Sequence, residues 1–405
     1  MTKAHGHGGA PQLHDIELPA NSLWRKLPVV FGLVGVLCLG GAFALNSGNL
    51  KQFYFSYLVA FLFFLSLAVG GLFFTMIQFV VRAGWSVVVR RMAENAMSTM
   101  PLFILLFIPI AVGLHDLFHW SHAEEVAKDP LLLGKAGYLN PTFFLVRSAI
   151  YLLVWAGLAV FFYKHSTKQD QTGDTVHTHR MQRMSGVGLL ILGLTLSFAA
   201  FDWIMSLDPH WYSTIFGAYY FAGSAVAIFS FIIVMGVALR ASNLLKSAIT
   251  YEHFQDLGKL LFGFTMFWAY LAFSQYFLIW YANIPEETVW FHHRLTGSWK
   301  YVTIGLAFGH FVVPFFFLMT RFTKRRMPFL LLGGLWMLAI HFLDHYWLVM
   351  PTLHKHGVHF GVTDILGFLG VGGLFMAVVT FQMKKHALVP RRDPRLHESL
   401  AFENM

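Results

Sequence analysis

The chain has 405 residues, of which 57% are hydrophobic and only 12% are charged. Soluble proteins are roughly 45–50% apolar and about 25% charged, so this composition excludes an ordinary set of soluble domains. The formal net charge of +9 comes from basic residues in short segments between apolar blocks, and this pattern does not indicate nucleic-acid binding. The single cysteine, Cys38, excludes a disulfide framework, a four-thiolate zinc site and an iron–sulfur cluster held by this chain alone.

Ten apolar blocks are each long enough for an α-helix to cross the hydrocarbon core of a membrane, which is roughly 30 Å thick. The blocks lack the alternation of barrel strands, so the sequence predicts an all-α polytopic membrane protein. The predicted helices are residues 29–47, 54–80, 98–116, 140–163, 185–206, 212–239, 257–281, 299–320, 328–350 and 363–383. Only residues 207–211 separate the fifth helix from the sixth, and the Asp-Pro pair in this segment predicts a tight hairpin.

The distribution of basic residues predicts the orientation of the helices. Most of the 29 Lys and Arg residues lie in the two terminal segments and in the loops that follow even-numbered helices. The positive-inside rule therefore predicts that both termini are cytoplasmic, with tails at 1–28 and 384–405 and a ten-helix membrane domain at 29–383. His5 and His7 are interpreted as part of a polar tail, with metal binding as an alternative. A duplication of the second to fifth helices in the sixth to ninth is compatible with this order, although the residues show no repeat.

Ionisable side chains inside membrane helices are costly against lipid and usually face the protein interior, so they are candidate functional residues. They are Asp116, Arg147, Asp202, His310, His341, Asp344 and His345. Three of them fall within about one turn of the ninth helix, and one lies near the centre of the eighth. Thr195 and Ser197 precede Asp202 on the fifth helix and are predicted to extend a polar string along it.

Three interpretations of these residues stay open. In the first they are structural: Arg147 pairs with a carboxylate such as Asp202 or Asp344, and the histidines bond to their neighbours. In the second, carboxylates, imidazoles and hydroxyls pass protons, because burial and charged neighbours can move their pKa values towards neutrality. In the third, His310 and His341 are axial ligands of a b-type haem, although the eighth helix offers one histidine where such sites normally have two.

Histidines are also abundant in the loops predicted on the external side. They are His119, His122, His210, His292, His293, His354, His356 and His359. With His115, the first two have the i, i+4, i+7 spacing of metal ligands on one helix. No glutamate accompanies them in a His-Glu-x-x-His motif. The sequence therefore predicts a docking surface for an external partner and no metal site.

Residues 201–214, with the sequence FDWIMSLDPHWYST, resemble the signature region of component F, the second quinone-binding membrane protein of the bacterial alternative complex III. The segment 284–299, which begins IPEET, and the FGHF segment at 308–311 resemble the same family. The resemblance covers about residues 25–385. It implies the fold of the membrane protein of polysulfide reductase, two four-helix bundles with two flanking helices, and a place in the bacterial cytoplasmic membrane.

The resemblance also implies partners and cofactors. The family's complex oxidises quinol and passes electrons through iron–sulfur clusters and c-type haems to an external acceptor. These cofactors belong to the iron–sulfur component B and the c-haem components A and E, which assemble with component D and the related membrane component C. A terminal oxidase is a further candidate partner, and membrane lipid surrounds the helices. This chain is expected to hold no redox centre of its own, while quinone or quinol stays open as a ligand.

The leading prediction is a subunit of this oxidoreductase that supplies scaffold and a proton route. The predicted route consists of Asp116, Arg147, Thr195, Ser197, Asp202, His310, His341, Asp344 and His345. One alternative is a second quinone site in which Asp202, His210 or His345 bonds the quinone head. Others are a b-haem cytochrome, a purely structural scaffold and a secondary transporter. A transporter typically has Gly or Pro interruptions in corresponding helices, whereas Pro109 and Pro314 lie in the third and eighth.

Overall fold

The computed structural model describes residues 13–404, and this range is all-α, with helices joined by turns and loops and no strand. Ten of its helices are long and apolar enough to cross a membrane, which confirms the predicted all-α, multi-pass architecture. In chain order they are α1 (Leu27–Leu45), α2 (Lys51–Val80), α3 (Val87–Val112), α4 (Pro141–Thr172), α5 (Val176–Leu207), α6 (Phe216–Ala241), α7 (Tyr251–Ala282), α8 (Trp299–Met319), α9 (Met327–Thr352) and α10 (Val362–Lys385). His5 and His7 fall outside the described residues.

The segments before α1 and after α10 meet at one end of the helix bundle, which we call the terminal end. The amide of Leu388 donates to the carbonyl oxygen of Ile16 at 2.8 Å. Further along, the Ser399 hydroxyl donates to the carbonyl oxygen of Trp85, between α2 and α3, at 2.5 Å. The C-terminal segment therefore packs on its own chain. We call the opposite end, where α5 turns into α6, the hairpin end.

The α5–α6 connection is a compact turn, as the Asp-Pro pair at 208–209 predicts, but it is longer than expected because α6 begins at Phe216. A 3-10 turn at Met205–Leu207 ends α5. Trp211 is buried in a stacked contact with Trp290, with 4.2 Å between the ring centroids. This connection is thus a packed part of the hairpin end.

The largest change from the predicted bounds is in α3, which is predicted at 98–116 and extends over Val87–Val112. Arg90, Arg91 and Glu94 would be costly against lipid, but here they pair with one another in the protein interior. The helix can therefore begin well before its apolar block. For the same reason of burial at the terminal end, α4 and α5 also extend beyond their predicted bounds.

Two helices, α2 and α6, form the centre of the bundle. Both are apolar on all sides, which is typical of a helix that other helices surround. α2 contacts α3, α5, α6, α9 and α10, while α6 also contacts α5, α7 and α9. α4 packs on α3 and α5, and α8 packs on α7 and α9. Polar side chains of α4 to α9 can therefore meet in the interior, away from lipid.

α1 and α10 pack against each other at one edge of the bundle through small residues. A Cβ atom at Gly35 would lie 2.9 Å from the amide nitrogen of Leu374, and one at Gly373 would lie 2.7 Å from the carbonyl oxygen of Phe31. Only glycine allows the two backbones to approach so closely. The rest of α1 is largely exposed and apolar, as expected for a helix that faces lipid.

α5 and α9 end in the same way. Asp202 on α5 is followed seven residues later by Pro209, and Asp344 on α9 is followed seven residues later by Pro351. A 3-10 turn closes each helix just before or at the proline. This shared ending supports the duplication of α2–α5 in α6–α9 that the helix order permits.

Candidate functional site

Four membrane helices bring together five side chains that we call the central cluster. α8 supplies His310, α9 supplies His341 and Asp344, α6 supplies Tyr219 and α7 supplies Trp268. One nitrogen or oxygen atom from each of the two histidines and the aspartate lies within 4.8 Å of the other two. All five side chains are buried, with at most 4% of their surface exposed. Ionisable groups in such a position face protein and not lipid.

The position of His310 follows from an irregular turn in α8. Pro314 has no amide hydrogen for the carbonyl of His310, and its ring clashes with that carbonyl in a regular helix. Residues Ala307–Val312 accordingly form a π-helical turn. The indole of Trp336 on α9 donates to the carbonyl oxygen of Gly309 at 2.7 Å, which ties this turn to the next helix. Single π turns of this kind often occur at functional sites.

Asp344 is held by neutral donors only. The Tyr219 hydroxyl donates a short hydrogen bond to one carboxylate oxygen, and the Trp268 indole donates to the other at 3.3 Å. Within residues 13–404, no lysine or arginine forms an ion pair with this carboxyl group. A buried carboxylate without a cation is costly, so this group has a strong reason to take up a proton or another positive charge.

The hydrogen bonds of His341 determine which of its nitrogens is free. Ser66 donates its only hydroxyl hydrogen to the carbonyl oxygen of Phe63 at 2.6 Å. Its oxygen lies 2.9 Å from Nε2 of His341 and can only accept there, so Nε2 carries the imidazole hydrogen. Nδ1 of His341 then presents its lone pair and has no partner among the described residues.

Other imidazole nitrogens beside this one also lack partners. Both nitrogens of His310 and Nε2 of His345 form no hydrogen bond within residues 13–404. The other nitrogen of His345, Nδ1, donates to the carbonyl oxygen of His341 at 2.9 Å. Buried polar atoms are nearly always paired, so a group of free imidazole nitrogens beside a carboxyl group indicates a site for a proton or a ligand.

Aromatic rings pack against both His310 and His341. The indole of Trp268 stacks on the imidazole of His310, with 3.6 Å between ring centroids and 16° between planes. The ring of Phe63 lies beside His341, at 5.6 Å between centroids. These contacts hold the two imidazoles among neighbouring aromatic rings.

Arg147 and Asp202 form a second buried site, which we call the Arg–Asp pair. Nε and Nη2 of Arg147 donate to the two carboxylate oxygens of Asp202 at 2.9 and 2.8 Å. The Tyr151 hydroxyl donates to the same carboxylate at 2.8 Å. The guanidinium also donates to the carbonyl oxygen of Tyr138 at 2.9 Å and lies 3.8 Å from the centroid of its ring. This is one of the two pairings that the sequence suggests for Arg147, and it holds both charges.

Among the described residues, no hydrogen bond links the Asp202 carboxylate to Thr195 or Ser197. Thr195 donates to the carbonyl oxygen of Ile191 at 2.7 Å, and Ser197 donates to that of Gly193 at 2.8 Å. Hydroxyls in helices commonly bond back to their own backbone in this way. Thr195 also stands seven residues from Asp202, a rise of about 10 Å, so it cannot bond to the carboxylate directly. A proton route through these hydroxyls therefore stays a prediction.

The histidines of the hairpin end do not lie on one continuous helix. α3 ends at Val112, and the chain continues as a short helix at Leu114–Leu117 and a 3-10 turn at His119–Ser121. Asp116 is exposed there and forms no part of the central cluster. A cavity of about 610 Å³, which we call the hairpin-end cavity, opens beside these turns. Its lining includes His115, Asp116, His119, His122, His210 and His293.

The three residues predicted for a quinone head lie in different surroundings. Asp202 is bound by Arg147, and His345 is buried beside the central cluster. His210 is half-exposed, and its Nε2 lies 2.5 Å from a carboxylate oxygen of Asp129. The described contacts do not bring any two of the three together.

A separate apolar cavity of about 350 Å³ lies between α7, α8 and the short helix Pro285–Leu295. We call it the apolar cavity. Tyr219 and Trp268 of the central cluster form part of its wall, and Gln275 is one of its few polar side chains. The wall of the apolar cavity therefore includes the two residues that donate hydrogen bonds to Asp344.

A buried ion network at the terminal end has no counterpart in the sequence-based prediction. Arg90 contacts Glu94 at 2.9 Å and Asp393 at 2.7 Å, and Arg91 contacts Glu94 at 3.2 Å and Asp170 at 2.5 Å. The adjacent arginines ahead of an apolar block were a detectable signal. Glu94 lies one turn away on α3, but Asp170 comes from α4 and Asp393 from the C-terminal segment, which no spacing rule connects to α3.

No protein-family model matches this chain, and no curated protein matches it.

Proposed function

We propose that this chain is a membrane subunit of a quinol-oxidising complex of the alternative complex III type in the bacterial cytoplasmic membrane, and that it moves protons without holding a redox centre. The proton role depends chiefly on Asp344, a buried carboxyl group whose hydrogen-bond partners within residues 13–404 are Tyr219 and Trp268. The resemblance of residues 201–214 supports membership of the complex. Iron–sulfur and c-haem subunits would supply the electron carriers.

The helix contacts are compatible with this kind of subunit. They support two four-helix bundles, α2–α5 and α6–α9, with α1 and α10 as flanking helices. The excess of Lys and Arg at the terminal end favours cytoplasmic termini. In that orientation the hairpin end faces outward, and Asp344 lies in the outer half of the membrane, between the centre of α9 and its hairpin end.

The two halves of the chain use their aspartates differently. Asp202 on α5 faces Arg147 on α4, and Asp344 on α9 faces His310 on α8. A guanidinium stays charged at any accessible pH, so Arg147 gives Asp202 a permanent positive partner. An imidazole can change its charge, so Asp344 can gain or lose a proton without breaking a permanent ion pair. We therefore assign the proton step to the second half and an architectural role to the Arg–Asp pair.

The neighbours of Asp344 are suited to pass on its proton. The free nitrogens of His310 and His341 offer lone pairs close to the carboxyl group. The Tyr219 hydroxyl is bonded to the carboxyl group, and Tyr219 also forms part of the wall of the apolar cavity, so this residue lies between the two. Transfer between such groups needs short distances, and one nitrogen or oxygen atom from each of His310, His341 and Asp344 lies within 4.8 Å of the other two.

The substitution Asp344→Asn tests this role. Asparagine keeps the size of the side chain and an oxygen that accepts from Tyr219, but it cannot take up a proton. In the assembled complex in sealed vesicles, we expect fewer protons released per electron. We also expect quinol oxidation to slow about ten-fold or more when it depends on this proton step.

Asp364→Asn is the matched control. Asp364 is also a buried carboxyl group in a membrane helix, but it lies on α10 and accepts from Ser56 at 2.6 Å, outside the central cluster. We expect this variant to keep the wild-type proton yield. The proposal is wrong if an Asp344→Asn complex with its full set of subunits releases as many protons per electron as the wild type.

A second candidate function is quinone binding in the apolar cavity. A quinone head needs a hydrophobic slot and a few hydrogen-bonding groups, and this cavity offers Tyr219, Gln275, Tyr276 and Thr303 in a largely apolar wall. These residues differ from Asp202, His210 and His345, which the sequence suggests for such a site.

Photolabelling with a quinone analogue tests this second function. We expect label on α7 and α8, and we expect Ala272→Phe to abolish it because the phenyl ring fills the cavity. Ala282→Phe, at the end of α7 and outside the cavity wall, is the control and should keep the label. Label that appears only on other subunits would exclude a quinone in this cavity.

A further inference from the structure

We propose that His310, His341 and Asp344 form a binding site for a divalent transition-metal ion of the zinc type. Each residue offers one ligand atom, and the three atoms lie within 4.8 Å of one another. They come from two neighbouring helices, α8 and α9, and all three side chains are at most 2% exposed. Two imidazoles and one carboxylate are the protein ligands of many zinc sites that keep one position open.

The free atoms of the cluster are the ones that coordination requires. A metal-bound imidazole must present an unprotonated nitrogen, and Nδ1 of His341 does so because its Nε2 hydrogen is donated to Ser66. His310 has no hydrogen-bond partner on either nitrogen within residues 13–404, so one is free to coordinate. Buried imidazole nitrogens without a partner are rare. A bound cation gives a partner to Nδ1 of His341 and to one nitrogen of His310 at the same time.

The carboxyl group supplies the charge. Asp344 has no lysine or arginine in an ion pair within the described residues, so its negative charge is available to a cation. In contrast, the otherwise similar Asp202 is occupied by Arg147. The chain therefore holds two buried aspartates in related positions, one neutralised by a guanidinium and one that lacks a built-in cation.

The surrounding side chains orient these ligands as an outer shell does in metal sites. Ser66 fixes the tautomer and the direction of the His341 ring. Gly223 on α6 leaves room for that ring, since a Cβ there would lie 2.9 Å from its Cε1 atom. Trp268 covers one face of His310 and also donates to Asp344. Ligand atoms in a tetrahedral zinc site lie roughly 3.3 Å apart, so modest side-chain rotations bring the three onto one ion.

This inference uses the residues of the proposed proton site but does not depend on proton transfer. Metal binding is measured on the purified chain without quinol, electron carriers or a membrane potential. If the ion binds, it occupies the atoms that would accept the proton, so zinc should inhibit the coupled reaction. If no ion binds, the effect of Asp344→Asn on proton release is unaffected, and the two proposals can fail separately.

The test begins with the full-length chain in detergent, stripped with a chelator and then dialysed against zinc. We expect one tightly held zinc ion per chain by elemental analysis. With cobalt in its place, we expect the visible absorption bands of four-coordinate cobalt(II). His341→Gln and Asp344→Asn should each lose the ion and the bands. Ser66→Ala keeps all three ligands and should bind about 10–100-fold more weakly, as outer-shell changes do in other metal sites.

Two controls separate this site from other histidines. His345→Gln removes a buried imidazole one turn from His341 that does not belong to the ligand set, and it should retain the ion. The double variant His119→Ala/His122→Ala removes surface imidazoles of the hairpin-end cavity and should also retain it. Zinc that persists in folded His341→Gln, or that disappears in the surface double variant, overturns the proposal.

Folding of the ligand variants is monitored by gel filtration in detergent. If His341→Gln or Asp344→Asn does not fold, X-ray absorption of the cobalt-loaded wild-type chain decides the question. Scattering from two imidazoles and one carboxylate is the expected result. A wild-type chain that keeps no stoichiometric metal, or whose cobalt is surrounded by other ligands, refutes the site.

Discussion

The Arg–Asp pair gives the sharpest quantitative prediction about this protein. Replacing Arg147 by glutamine removes the cation that pairs with Asp202, whose side chain is fully buried. The carboxylate loses hydrogen bonds of 2.9 and 2.8 Å and keeps the one from Tyr151. The substitution also ends the bond to the Tyr138 carbonyl and the contact with its ring. The main effect is therefore an unpaired buried charge.

The expected loss follows from these contacts. Hydrogen bonds to charged groups contribute about 1.5–3 kcal/mol each, and breaking a buried ion pair from one side typically costs about 3–5 kcal/mol. We expect Arg147→Gln to lower the free energy of unfolding by about 3–5 kcal/mol. The double variant Arg147→Gln/Asp202→Asn has no buried charge left at this position. We expect it to recover about 2 kcal/mol relative to the sum of the single variants.

Reversible unfolding of the purified chain in mixed detergent micelles, followed by tryptophan fluorescence, measures these free energies. Arg180→Gln is the control, because Arg180 is an exposed arginine at the terminal end of α5 and should change stability by less than about 0.5 kcal/mol. A loss below about 1 kcal/mol in Arg147→Gln would refute the reasoning. Strict additivity in the double variant would refute it too, because the charges would then not interact.

Two further predictions concern other parts of the molecule. Gly373→Ala places a Cβ 2.7 Å from the Phe31 carbonyl oxygen, so α1 should separate from α10. Crosslinking between cysteines introduced on the two helices should then fall. Gly40→Ala, which has open space around its Cβ, is the control and should have no effect. The hydrogen bond from His210 lowers the pKa of the Asp129 carboxyl group below 3.8. The contact between the two side chains therefore stabilises the folded protein at pH values above 3.8, and this stabilisation is lost as the pH falls through the lowered pKa. Protease cleavage of the segment that contains Asp129 should rise in acid, and this rise should be absent in Asp129→Asn. An identical acid response in the two proteins would contradict the contact.

The helices could be predicted from the sequence because lipid requires about 20 successive apolar residues for each crossing. The same rule misses the start of α3. Arg90, Arg91 and Glu94 are unfavourable by hydropathy, and only their ion pairs with one another and with Asp170 and Asp393 allow the helix to begin at Val87. Partners that come from α4 and from the C-terminal segment are far apart in sequence, so no local pattern indicates them.

The candidate site could be predicted in part. His310, His341 and Asp344 stand out because ionisable side chains are rare in membrane helices. Tyr219, Trp268 and Ser66 do not, because tyrosine, tryptophan and serine are ordinary residues of such helices. Thr195 and Ser197 stood out for their spacing but bond to their own backbone.

The sequence by itself determined that this is a ten-helix membrane protein and which of its residues carry costly charge into the apolar layer. These properties depend on local composition, because each helix crosses the apolar layer of the membrane and its own residues determine whether that crossing is favourable. The tertiary structure alone decided how those charges are used. Packing of α5 against α4 gives Asp202 a permanent arginine partner, whereas packing of α9 against α6, α7 and α8 surrounds Asp344 with neutral donors and free imidazole nitrogens. Pairing depends on distances between helices, and in a folded chain the partner of a buried charge is set by which helices touch.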